Sequence, residues 1–184
     1  VEPLVGLVPS CGGCKELLHR WSAQSNDVDS AQQAAIATFN LIAKARTAAS
    51  PAEARPLRLM RCNDRVSMNR DRLLVDGKAF ALELTEDYVP SATPHFIGLG
   101  DAGHATMETI LQGLVAKGIA QAHDITVSRQ LAHVLCGGDA MRGGAVTEQQ
   151  MLDLERAAFI TLAHTEQTRS RIEYMLNNAR ALRN

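Results

Sequence analysis

Aromatic side chains make up only 4% of this 184-residue chain, and a single tryptophan, Trp21, is among them. A core with few rings must be filled by aliphatic side chains. Hydrophobic residues at 46%, with only six prolines, supply enough of them, and abundant alanine favours closely packed helices. Neither sign of charge dominates: 19 basic against 20 acidic residues leave a net charge of −1. That removes the electrostatic case for nucleic acid or an anionic membrane surface as partner. No apolar run reaches the roughly 18 residues of a spanning helix, and no secretory leader pattern is visible. Four cysteines are too few for a disulfide scaffold in a chain of this size. They point to a reducing compartment, expected to be the cytoplasm. Internal repeats and low-complexity tracts are missing. The chain opens on Val1 in mid-pattern, so a fragment of a longer protein is expected, one domain in size or a domain with a helical extension.

The first two dozen residues organise what is there. Residues 1–9 are apolar apart from Glu2, Ser10-Cys11-Gly12-Gly13 reads as a turn, and residues 14–21 as a short amphipathic helix. A glycine-rich turn feeding a helix is expected to leave N–H groups free for a phosphate or carbonyl oxygen. An acid entering an apolar run, as Glu2 does, is expected to have its proton affinity raised by desolvation, which suits a general acid.

Further along, Ala31, Ala35, Thr38, Phe39, Ile42 and Ala45 recur at helical spacing, after a polar connector over 22–29. Ser50-Pro51-Ala52-Glu53 reads as a capping box with proline at the first helical position. Leu57-Arg58-Leu59-Met60 predicts a short strand. Asn69 can cap a helix with the stripe Leu73, Gly77, Phe80, Ala81 and Leu84. Pro90 and Pro94 bracket a connector running through Gly100. Helices follow on the stripes Met107–Val115, ended by Gly118; Ile125–Leu135, ended by Gly137-Gly138; Met151–Leu162, opened by Thr147 with Gln150; and Ile172, Met175, Leu176 and Ala179, opened by Thr165.

Other constellations read blandly. Cys11-Gly12-Gly13-Cys14 has the spacing of a redox pair or half a zinc site, but no βαβ context surrounds it, and Cys62 and Cys136 stand alone. The histidines lack paired ligand spacing and read as capping or surface residues. Gly137-Gly138-Asp139 and Gly143-Gly144 form no phosphate loop, since no Lys-Ser/Thr follows. Arg65, Arg70 and Arg72 could meet phosphates, but pairing with local acids such as Asp64 and Asp71 is the favoured reading.

Glu2-Pro3-Leu4-Val5-Gly6-Leu7-Val8-Pro9-Ser10-Cys11-Gly12-Gly13 resembles the crotonase (enoyl-CoA hydratase) segment P-E-x-x-x-G-x-x-P-x-x-G-G-T. The stretches Asp64 to Leu74, Leu131 to Asp139 and Leu182-Arg183-Asn184 resemble crotonase modules at the C-terminus of bacterial multifunctional 3-hydroxyacyl-CoA dehydrogenases. The resemblance implies a mainly α chain: the C-terminal part of a crotonase-type fold with one or two short strands over 1–94, then a helical extension over 95–184. It implies a fatty-acid β-oxidation parent with acyl-CoA as substrate and NAD bound in a dehydrogenase part outside this stretch, which itself holds no cofactor. It makes Glu2 the second of two catalytic acids in thioester hydration, and Gly12 and Gly13 the turn beside the thioester. The first acid and the oxyanion glycines would lie upstream, so the fragment itself is expected to be inactive. Its partners would be the rest of its own parent chain and a second copy. A non-catalytic helical docking or dimerisation module is the alternative, and a thiol–disulfide or metal protein the third reading.

Overall fold

The computed structural model describes residues 2–23, 25 and 27–184. Val1 of the opening stretch, and Gln24 and Asn26 of the first connector, lie outside them. The chain is mainly helical, as expected. A 3-10 turn at Glu2–Val5 leads to α1 (Gly13–Ser22), α2 (Val28–Ala43), the one-turn α3 (Pro51–Ala54), a 3-10 turn at Arg70–Arg72, α4 (Leu73–Thr85), β1 (His95–Ile97), α5 (Gly100–Ala116), α6 (Ala122–Leu135), β2 (Ala145–Thr147), α7 (Glu148–Ala163) and α8 (Glu166–Asn178).

Short polar side chains set several helix starts. The Asp27 carboxylate accepts from the amides of Asp29 and Ser30, Ser50 from Glu53, Thr147 from Gln150 and Thr165 from Thr168. Helix α2 lies centrally, packed against α1, α5, α6 and β1, while α7 rests on α1, α6 and α8. One core joins Leu7, Val8, Phe39 and Ile42 to Met107, Leu131, Met151 and Leu162, so packing runs across residues 94 and 95.

The strands are not at residues 57–60, which form turns and bends. Arg58 sits at φ 54°, and the Arg20 guanidinium takes the Arg58 and Leu59 carbonyl oxygens that a neighbouring strand would need. The sheet forms instead from the supposed connector: His95–Ile97 pairs antiparallel with Ala145–Thr147, Phe96 opposite Val146, and both of these are buried. The stripe on α8 also differs. Leu176 is 81% exposed and Ala179 is exposed, whereas Thr168 and Arg171 point inward. Helix α4 forms, yet none of its residues is buried. Leu74 and Val75 flank the expected stripe, so apolar surface runs round much of the helix, with the Arg65 guanidinium 4.1 Å from the Phe80 ring centroid.

The opening stretch is seated firmly. Leu7 and Val8 are in the core, and the Gly6 carbonyl accepts from the Thr168 hydroxyl at 2.8 Å. Since that hydroxyl donates there, the His123 Nε2 at 2.8 Å must donate to it, which fixes the tautomer of a histidine that is buried, not surface-placed as expected. Burial and the neighbouring Arg171 lower the His123 pKa. Arg171, 2% exposed, joins Asp124 to the Asn184 side chain, both at 2.7 Å, and donates again to the Asn184 carbonyl oxygen.

A single carboxylate ties α1 to α7. Glu155 is 2% exposed and accepts from the amides of Gly12, at 2.9 Å, and Lys15. Burial outweighs these donors and lifts its pKa above the ordinary glutamate range.

Two predictions follow from this packing. A Cβ at Gly6, where φ is +81°, would come within 2.7 Å of the Thr168 hydroxyl oxygen. Gly6→Ala is therefore expected to destabilise the fold by about 1–3 kcal/mol in urea unfolding, from left-handed strain plus loss of the Thr168 contact. For Glu155, the folded state holds the proton more tightly than the unfolded chain does. Its contribution is fully present below the ordinary glutamate pKa of roughly 4.3 and is lost as pH rises through the folded value. The urea midpoint of the parent chain relative to that of Glu155→Gln should be highest below about pH 4 and fall as pH rises through the folded value; a flat or rising difference would refute the assignment.

Candidate functional site

Glu2 and Gly13 line one cleft of about 350 Å³, with Pro9, Leu17, Leu41 and Ile42 as its apolar wall. Gly12 is buried beside it and does not reach its surface. Glu2 lies exposed on the first 3-10 turn. Its pKa is lowered, chiefly by a hydrogen bond from its own backbone, with partial burial opposing. The expected rise is thus reversed: the apolar run begins after Glu2 and does not close over it.

The glycine turn also departs from expectation. Gly12 caps α1 with φ 85°, and its N–H donates to Glu155; the Gly13 N–H donates to the Ser10 carbonyl oxygen at 3.0 Å, and the Lys15 N–H goes to Glu155. The positive end of α1 is therefore filled by a carboxylate of the same chain, and those amides offer nothing to a phosphate or thioester oxygen. Glu155 was not singled out in the sequence. Its signal was a lone acid on the inward stripe Met151, Ala158 and Leu162, four residues after Met151.

Cys11 is exposed and Cys14 buried, both as free thiols. The Cys14 S–H donates to the Pro9 carbonyl oxygen at 3.3 Å. Burial first, then the Glu155 and Glu2 charges, push its pKa well above the ordinary thiol value. An exchange-active cysteine needs the opposite shift. Among the described residues no three His, Cys, Asp or Glu side chains gather as metal ligands. His104 and His133 stack with ring centroids 5.8 Å apart in a separate cleft of about 650 Å³ between α5, α6 and α7, and Arg129 there is paired with Glu108.

Residues Gly98-Leu99-Gly100-Asp101-Ala102-Gly103 carry G-x-G-x-x-G spacing from the end of β1 into α5, which corrects the expectation that this chain has no such fingerprint. Its surroundings do not fit a dinucleotide. The sheet is two short antiparallel strands, not a βαβ unit. A Cβ at Gly98 would meet the Met141 carbonyl oxygen at 2.7 Å, and one at Gly100 the Arg142 amide at 2.9 Å. The space a pyrophosphate would need is taken by residues 140–142, and these glycines serve close packing of the chain on itself.

Arg65 and Arg72 pair with Glu83 and Asp76, not with Asp64 and Asp71. Local acids do neutralise them, but from α4.

No family model matches the chain, and no solved structure does. Along its whole length it is 33% identical, over 185 residues, to a probable 3-hydroxyacyl-CoA dehydrogenase of Bacillus subtilis (strain 168). The chain spans 23% of that relative, which is similar to it over that share alone.

Proposed function

We propose that the chain is the C-terminal part of a fatty-acid β-oxidation enzyme that joins a 3-hydroxyacyl-CoA dehydrogenase to an enoyl-CoA hydratase-like module, and that it has no activity alone. The carrying observation is the 33% identity, over the full chain, to a probable 3-hydroxyacyl-CoA dehydrogenase. Residues 1–94 then belong to the crotonase-like module and 95–184 to a helical extension. NAD, which accepts the hydride from the 3-hydroxyacyl thioester, belongs to the dehydrogenase part; the self-filled turn at Gly98–Gly103 supports this. A cytoplasmic location accords with the reading, and no described helix is long and apolar enough to cross a membrane.

Hydration needs one carboxylate to activate water and another to deliver the α-proton, with amides to hold the developing enolate oxygen. Glu2 supplies the second acid in this reading, and Gly13, with Gly12 buried behind it, shapes the wall near the thioester. Because the Gly12 and Gly13 amides are already engaged, the oxyanion donors and the first acid come from elsewhere in the longer chain. Partial exposure and a lowered pKa at Glu2 suit an unassembled half-site; the rest of the longer chain would bury the carboxyl further and raise its proton affinity.

A docking role is the second reading, favoured by the uncovered α4, where Leu74 is 85% and Val75 62% exposed. A face this apolar marks an interaction surface. If docking is the whole function, Leu74→Asp should abolish self-association of the 184-residue chain in sedimentation, and the chain should bind no acyl-CoA.

For the principal reading, Glu2→Gln in the longer enzyme is expected to lower enoyl-CoA hydration by about 10²–10⁴-fold and to spare 3-hydroxyacyl-CoA oxidation. Both rates are read from one preparation. Undiminished hydration would remove Glu2 from the reaction.

A further inference from the structure

A cleft of about 810 Å³ lies between α1, the loop over residues 55–64 and α4. That volume is within the roughly 300–1,000 Å³ of small-molecule sites. Arg20, Arg55, Arg58 and Arg61 line it, and Phe80 and Leu84 form an apolar wall. Its carboxylates are Asp64, in the wall, and Glu16, behind Arg20 and Arg61. Glu16 is shared three ways, with Arg20 at 3.0 Å, Arg61 in close contact and Lys15 at 3.7 Å. The Asp64 carboxylate accepts from the Arg61 amide.

Arg55 and Arg58 have no carboxylate partner among the described residues. Arg55 donates to the carbonyl oxygens of Arg61, Cys62 and Asp64. Arg58 donates to the Arg20 carbonyl oxygen and lies 5.3 Å above the Trp21 ring. Carbonyls and a ring face orient a guanidinium without cancelling its charge. Four guanidiniums against two carboxylates leave a surplus of two positive charges around one concavity, in a chain whose net charge is −1. The buried Nε1 of Trp21, the ring beneath Arg58, has no hydrogen-bond partner among the described residues. Arg65 and Arg72, by contrast, are each matched by an acid.

We propose that this arginine cleft holds the phosphorylated adenosine end of an acyl-CoA. The assignment rests on the reading of the parent as an acyl-CoA enzyme. Phosphate oxygens accept from fixed guanidinium forks, and the surplus charge selects an anion over a neutral ligand. The apolar wall of Phe80 and Leu84 gives the adenine a surface away from water.

Trp21 is the sole tryptophan and touches the cleft through Arg58, so its emission reports occupancy. Coenzyme A titrated into the 184-residue chain should change that emission saturably, with affinity falling as salt is raised. Pantetheine, which lacks the phosphorylated adenosine, should leave it unchanged. Arg55→Gln and the well-exposed Arg61→Gln should each weaken coenzyme A binding about 10-fold, with circular dichroism and melting temperature confirming that the chain stays folded. The proposal is overturned if coenzyme A does not bind, if both folded variants bind it as tightly as the parent chain, or if ATP or pantetheine binds as tightly as coenzyme A. Loss of coenzyme A binding by the chain, with 3-hydroxyacyl-CoA oxidation intact in the longer enzyme, would remove the cleft and leave the functional reading standing. A longer enzyme without that oxidation, alongside salt-sensitive binding here, would do the reverse.

Discussion

Glu155 sets the relation between the two ends of this chain. Its side chain leaves α7 at a position that helical spacing directs into the core, and it ends among the first amides of α1. A buried carboxylate is costly unless several donors meet it, and a helix N-terminus is costly to bury unless an acceptor meets it. Each offsets part of the other's cost, although burial still outweighs the donors at Glu155. The contact spans more than 130 residues of sequence, so it forms only where α1 and α7 are packed together. Around it the Thr168 hydroxyl grips Gly6, and Arg171 gathers Asp124 and Asn184, so α8 carries polar anchors where an aliphatic seam was expected.

This arrangement has a chemical consequence. The turn at Gly12-Gly13 resembles a site for a substrate oxygen, yet a residue of the same chain occupies it. The same holds at Gly98–Gly103, whose spacing suggests a dinucleotide and whose space is filled by residues 140–142. In both places a short motif names a backbone shape, and the tertiary packing assigns what fills it. Arg55 and Arg58, guanidiniums held by carbonyl oxygens and not by acids, lie elsewhere and have no motif around them.

Much of the helical layout was legible. Caps at Ser50, Thr147 and Thr165 and the glycine stops at Gly118 and Gly137 are local devices, and each helix formed within a residue or two of where they put it. The strand at 57–60 failed because Arg20, distant in sequence, takes its carbonyls. The real strands escaped notice because three residues each are too short for alternation to register, and their pairing joins segments fifty residues apart. Of the site, the placement of Glu2 beside Gly13 was legible as sequence proximity, whereas the ionisation of Glu2 was not. A hydrogen bond from its own backbone sets it first, with partial burial opposing, and both depend on how the opening turn folds.

By itself the sequence determined that the chain is mainly helical and where most helices start and stop, because these follow from spacing and caps along the chain. Only the tertiary structure decided which apolar faces are covered, leaving α4 bare, and which polar groups meet: Glu155 with the α1 amides, His123 with Thr168, and Arg171 with Asp124. Those outcomes depend on distances between residues far apart in the chain, and local spacing carries no information about them.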